Sequence, residues 1–126
     1  MVECVKLAKE YCLPLVPRSG AHNLGGFSLV KEGVIVDVSK LKKIEHSPLF
    51  ETVTYQTGCK AGEIDQYLDE NMPGWVWAST SNPEVGMGGR AGVGLSWLSR
   101  WLGTGVDNFV SAKVVLADGS IVTASK

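Results

Sequence analysis

The sequence predicts an α+β domain of mixed sheets with flanking helices. Three observations lead there: helical apolar spacing in separate stretches, short β-branched or alternating stretches between them, and two glycine-rich segments. With 126 residues the chain has the size of one domain, so residues 1–126 are read as a single folded unit.

Met1, Cys4, Val5, Ala8, Tyr11 and Cys12 recur at three- and four-residue steps, with Glu3, Lys6, Lys9 and Glu10 opposite, which predicts a short amphipathic helix. Pro14 and Pro17 stop it and bracket the extended pair Leu15-Val16, which runs into a glycine-rich segment from Gly20 to Gly26. Val34 to Val38 is nearly all β-branched and predicts a central strand covered on both faces. Thr52 to Gln56 alternates and predicts a half-buried antiparallel strand. Ala61, Ile64 and Leu68 mark a second helix ended near Asn71 by Pro73-Gly74.

The segment from Trp75 to Gly94 is irregular and rich in glycine. Leu95, Leu98 and Leu102 then predict a third helix, stopped by Gly103 and Gly105. Val110, Ala112, Val114 and Leu116 alternate, and Asp118-Gly119 predicts a type I′ turn leading into Ile121-Val122-Thr123. Met1 leads straight into a helix and Lys126 closes a hairpin, so the sequence is expected to be a portion of a longer one.

Composition narrows the function. Hydrophobic residues make up 44% and charged residues 20%, and a chain this long removes roughly two thirds of its unfolded surface from water, so neither disulfides nor a metal is required. Cys4, Cys12 and Cys59 lack metal-ligand spacing, and the two beside the first helix fit small buried thiols. A net charge of −1, with no basic run longer than Lys42-Lys43, argues against nucleic acid as a partner. No apolar run reaches the ~18 residues that a membrane helix needs, so no membrane partner is expected.

The chemistry is carried by glycine. Gly20, Gly25 and Gly26 form one cluster, and Gly86, Gly88, Gly89, Gly92 and Gly94 form another. Such segments bring bare backbone to a ligand and aim successive N–H groups at an anion, so a pyrophosphate site is one reading and tight turns alone are the other. Gly86 to Ala91 also fits the dinucleotide pattern G-x-G-x-x-A, with Asp107 as a nominal ribose ligand. That fingerprint needs a hydrophobic strand running into the first glycine, whereas Ser79 to Glu84 is polar and contains Pro83, so a nicotinamide site ranks lower.

The stretches CVKLAKEYCLPLVPRSGAHNLGG, GVIVDVSKLKKI, VTYQTG, GEIDQYL, VGMGG, GVGLSWLSR and VDNFVSAKVVLADGSIVTAS follow one another in an order and spacing that closely resembles FAD-linked oxidoreductases of the berberine-bridge-enzyme-like type. These belong to the wider group of p-cresol methylhydroxylase and vanillyl-alcohol oxidase flavoproteins. The resemblance spans essentially the whole chain. It implies the FAD-binding domain of the p-cresol methylhydroxylase type, with FAD as cofactor and with the substrate domain lying outside these residues.

By that resemblance, the loop Arg18-Ser19-Gly20-Ala21-His22-Asn23 wraps the FAD pyrophosphate, with Gly86, Gly88, Gly89 and Gly92 as the second cofactor-binding segment. His22 then stands where relatives often bond covalently to the flavin. Read alone, it is a loop histidine making a hydrogen bond. Ala21 replaces the usual second glycine, which requires a negative φ or some strain. Relatives often carry a second flavin attachment at a cysteine before a proline, where this chain has Asn82-Pro83; an amide forms no thioether, and Cys59 lies elsewhere in the pattern. Arg90 is read as a solvated loop residue, with a phosphate partner as the alternative. His46 is read as a surface residue, and Asp107-Asn108 as a structural turn. Trp75, Trp77, Trp97 and Trp101 are read as aromatic core in preference to a stacking platform.

The implied function is oxidation of a small organic substrate by hydride transfer to FAD, with oxygen as reoxidant. The competing expectation is a truncated, non-catalytic remnant, either nucleotide-binding or structural. No catalytic acid or base is assigned.

Overall fold

The computed structural model describes residues 1–90 and 94–125. Helix α1, Val2–Glu10, buries Ala8 and packs on strand β2. Cys12 then reverses the chain with a φ of 52°, and the Leu13 N–H donates to the Ala8 carbonyl at 2.8 Å. Strand β1, Leu15–Arg18, pairs in parallel with β2, Val34–Asp37, placing Leu15 opposite Val34 and Arg18 opposite Asp37. Pro17 is tolerated because, among the described residues, β1 has a single strand partner and can lack a donor on its other edge. The connection between the two parallel strands contains the first glycine cluster.

Strands β3, Ile44–Ser47, and β4, Thr52–Tyr55, form an antiparallel pair, with Ile44 opposite Tyr55. Helix α2, Ala61–Asn71, lies against that pair. Glu63 accepts the Lys60 N–H at 2.7 Å, closing the helix entrance, and Pro73 and Gly74, with a φ of 87°, follow its end. Cys59, Ala61, Ile64, Leu68, Met72 and Met87 form the buried cluster, with Ile44, Val53, Tyr55, Tyr67 and Trp77 packed around it. The core therefore sits between α2, the β3–β4 pair and the second glycine segment. Two one-turn helices follow, α3 at Met87–Arg90 and α4 at Ser99–Leu102. The antiparallel hairpin of β5, Ser111–Val115, and β6, Ile121–Ser125, comes last.

The α+β class holds, and several expectations are corrected in detail. Among the described residues the strands form three two-stranded sheets, so Val34 to Asp37 is not a central strand. Helix α1 covers one of its faces, and Ile35 on the other is 40% exposed. The third helix shrinks to one turn because serine side chains take over its backbone. Ser99 Oγ accepts the Ser96 N–H at 2.8 Å, Ser96 Oγ accepts the Leu98 N–H at 3.2 Å, and Leu95 is left exposed.

In the last hairpin only Gly119 has a positive φ, 87°, and its N–H donates to the Leu116 carbonyl. That is a type I turn followed by a glycine bulge, not type I′. Asp118 Oδ1 holds the bulge by accepting the Ser120 N–H at 2.8 Å.

The tryptophans divide. Trp77 packs edge-to-face on Tyr55 and donates its Nε1–H to Asp65 at 2.6 Å, whereas Trp75 (45%), Trp101 (74%) and Trp97 (84%) are exposed and outside the core. Pro73-Gly74 carries Trp75 beyond the end of α2, and the shortened α4 leaves Trp97 and Trp101 without a packed helix face. His46 is not a free surface residue: it is half-buried in β3, with Nδ1 3.0 Å from Tyr67 Oη. Of the cysteines near α1, Cys12 is exposed and Cys4 half-buried; Cys59 is the buried one.

Candidate functional site

Three segments meet at the end of β1. Strand pairing delivers Arg18 beside Asp37, with Nη1 3.9 Å from Oδ2. The next residue, Ser19, donates its hydroxyl to the Thr57 carbonyl at 2.5 Å and accepts the Gly88 N–H at 3.4 Å. Gly20 then lies flat on Gly86: a Cβ built on Gly20 would stand 2.7 Å from the Gly86 Cα, and one built on Gly86 would stand 2.6 Å from the Gly20 Cα. No real Cβ fits in that space, so both positions require glycine for packing. Gly88 is nearly as tight, with Ser19 Cβ at 3.0 Å, while Gly89 faces open space.

The second segment is fixed by the entrance to α2. Lys60 and Gly86 form a one-residue antiparallel bridge, the Ala61 and Gly62 N–H groups donate to the Val85 and Pro83 carbonyls at 3.0 and 2.9 Å, and the Met87 N–H donates to Cys59 at 2.9 Å. The first amides of α2 are thus consumed by the chain itself. Gly58 lets this loop lie against the Val38 and Leu41 carbonyls. Burial pushes the Cys59 thiol up, with Glu63 adding to the effect, which disfavours the thiolate.

Beyond Gly20 the first loop turns out to solvent. Ala21 adopts a φ of 55°, the strained alternative for a residue with a Cβ, and Ala21, His22 and Asn23 are exposed. Asn23 closes the following turn, its carbonyl accepting the Gly26 N–H at 3.1 Å. Among the described residues the N–H groups of 20–24 donate to no protein acceptor.

A charge ladder runs along the junction. Lys42 holds Glu63 at 2.6 Å, and Lys60 holds Glu84 at 2.5 Å. Burial works to raise the Glu63 carboxyl, but hydrogen bonds from Lys42 and the Lys60 N–H, with both ammonium charges, leave it below its ordinary value. The Glu84 carboxyl is lowered first by the hydrogen bond from Lys60, then by that ammonium's charge, with His22 contributing as well.

Residues 1–125 match the profile of a family described as an FAD binding domain. The chain belongs to that family. The FAD-binding domain is 32% identical over 127 residues to the FAD-linked oxidoreductase pgmH of Aspergillus terreus, an alignment covering 99% of this chain and 25% of the relative. It superimposes on the xylooligosaccharide oxidase of Myceliophthora thermophila with a TM-score of 0.88 at 32% identity, covering 96% of this chain and 26% of the other. It superimposes on BBE-like 1 of Physcomitrella patens with a TM-score of 0.90 at 27% identity, covering 98% and 27%. The domain is similar to berberine-bridge-enzyme-like proteins, and its cofactor is FAD. It spans about a quarter of the length of the relatives it matches.

Of the residues expected at the FAD site, the structure brings Ser19, Gly20, Gly86 and Gly88 into one junction, with Gly89 beside it. Ala21, His22 and Asn23 form an exposed lip, and Arg18 stands one step back against Asp37. Gly92 and the Arg90 side chain lie outside the described residues. The sequence reading missed Thr57, Gly58, Lys60 and Glu84, which build the same junction. A Thr-Gly pair directly after an alternating strand was the available signal for the first two.

Proposed function

We propose that this FAD-binding domain serves an oxidoreductase that oxidises a small organic molecule by hydride transfer to FAD, with oxygen as the reoxidant. When bound, FAD supplies the two-electron acceptor. The chain's own part is to hold and orient it. The main-chain N–H groups from Gly20 to Asn23 receive the pyrophosphate, and Gly86, Gly88, Gly89 and Gly92 let the second segment approach the cofactor without Cβ atoms. Arg18 adds positive charge at the same end of β1, and the Ser19 hydroxyl ties the two segments together.

His22, on the exposed lip, is the residue that would hold the flavin covalently, through an imidazole nitrogen. Asn82 closes the second route, since its amide cannot form a thioether and its Oδ1 accepts the Glu84 N–H at 2.9 Å.

The observation that carries this reading is the backbone contact between Gly20 and Gly86. It sets two glycine segments of distant sequence side by side, next to amides that, among the described residues, have no protein acceptor. Absorbance of the purified chain tests it. A flavin band that survives acid precipitation, and is lost in His22→Ala, supports attachment at His22. An acid-stable band retained in His22→Ala places the attachment elsewhere, and a colourless chain that gains no band with added FAD favours a structural remnant.

A further inference from the structure

We propose that the groove along α2 lined by Asp65, Asp69, Trp75, Trp77, Ser79 and Trp97 binds a small organic cation of the quaternary-ammonium class, separately from the FAD junction. The groove has a volume of about 310 Å³, at the small end of ligand sites. It shares no residue with the junction of Ser19, Gly20, Gly86 and Gly88.

The groove walls select the charge of the occupant. Asp65 and Asp69 stand one turn apart on the same face of α2. The Trp77 Nε1–H donates to Asp65 Oδ1 at 2.6 Å, and among the described residues the Asp69 carboxylate has no partner. Neither carboxylate is in an ion pair, and among the described residues no lysine or arginine lines the groove. Like charges four residues apart on a helix repel each other, so a cation relieves a cost that an anion would increase.

The rest of the wall suits the same occupant. Trp75 and Trp97 line the groove and are exposed to solvent. The face of an indole attracts a cation through its ring quadrupole, more strongly than the ring of Tyr or Phe does. Ser79 Oγ is buried and, among the described residues, has no hydrogen-bond partner. A buried hydroxyl left unpaired is costly, which favours a ligand that carries a polar group beside its charge. A neutral sugar would use the rings and hydroxyl but leave the two carboxylates uncompensated.

Titration of the nitrogen-15-labelled 126-residue chain with choline tests the proposal, with 3,3-dimethylbutanol as its uncharged isostere and maltose as a neutral sugar. The expected result with choline is saturating shifts of the Trp75 and Trp97 indole N–H signals, with the Trp101 signal, outside the groove, unmoved. The isostere and maltose should give no saturating shift. Asp69→Asn should weaken choline binding about fivefold, and Trp97→Leu by about two- to thirtyfold. The Trp77 indole signal, held by Asp65, reports that each variant keeps its fold. Absence of a saturating choline shift overturns the proposal, as does binding of the isostere or of maltose as tight as that of choline. Those comparisons use the unaltered chain and stand even where a variant fails to fold. Unchanged choline affinity in a folded Asp69→Asn also overturns it.

Discussion

Gly20 and Gly86, sixty-six positions apart in the chain, pack so closely that a methyl group on either would overlap the other's backbone. Gly20→Ala or Gly86→Ala therefore forces the two segments apart. Overpacking of this kind costs about 1–3 kcal/mol, and the urea midpoint of either variant is expected to fall by a corresponding amount. An unchanged midpoint would show that the junction yields without cost.

Gly89 makes the opposite prediction. A Cβ there meets nothing within 4 Å, and the residue sits in the single turn of α3. Gly89→Ala is expected to leave the stability of the cofactor-free chain unchanged or raised by up to about 1 kcal/mol. It should nevertheless weaken FAD uptake, because the added methyl enters the proposed cofactor space. Thermal melts with and without added FAD separate the two effects.

Ala21 stands in the left-handed region with a φ of 55°. Ala21→Gly removes that strain but loosens the unfolded chain, and the net expectation is stabilisation by about 0.5–1 kcal/mol. Chemical denaturation reads the sign directly.

The ladder of Lys42, Glu63, Lys60 and Glu84 predicts a pH dependence. Both carboxyls titrate below their ordinary value, so their contribution is present above about pH 4.3 and is lost as pH falls through the lower folded values. The Lys60 ammonium is raised, chiefly by its hydrogen bond to Glu84, so its share is lost only as pH climbs past about 10.4 towards the raised value. The double variant Glu63→Gln, Glu84→Gln should flatten the acid limb of a urea-midpoint profile. Because both carboxylates are exposed to solvent, added salt should flatten it as well.

Ile64 is fully buried at the centre of the α2 cluster. Ile64→Ala should cost about 2–5 kcal/mol, read as a lower urea midpoint when unfolding is followed by the circular-dichroism signal of the helices.

Local signals carried much of this fold. The stripe of Ala61, Ile64 and Leu68 and the stop at Pro73-Gly74 gave α2 its bounds, and alternation from Val110 to Leu116 gave the last hairpin. The failures have tertiary causes. Strand β3 is four residues long with Glu45 and His46 inside it, too short and too polar for a periodic signal, and it is a strand because β4 pairs with it. The spacing of Leu95, Leu98 and Leu102 predicted a third helix, but the Ser96 and Ser99 hydroxyls captured its backbone and left one turn. The glycine clusters were legible as loops, whereas their convergence, the Ser19 link and the Lys60–Glu84 pair depend on contacts across 24 to 69 residues of chain.

The measurement that bears most directly on the cofactor cradle is a backbone amide titration of nitrogen-15-labelled chain with FAD. The account predicts that the amides of residues 20–24 and of residues 86–89 shift together and saturate at the same FAD concentration. Shifts confined to one of these segments, or lying elsewhere in the domain, would contradict it.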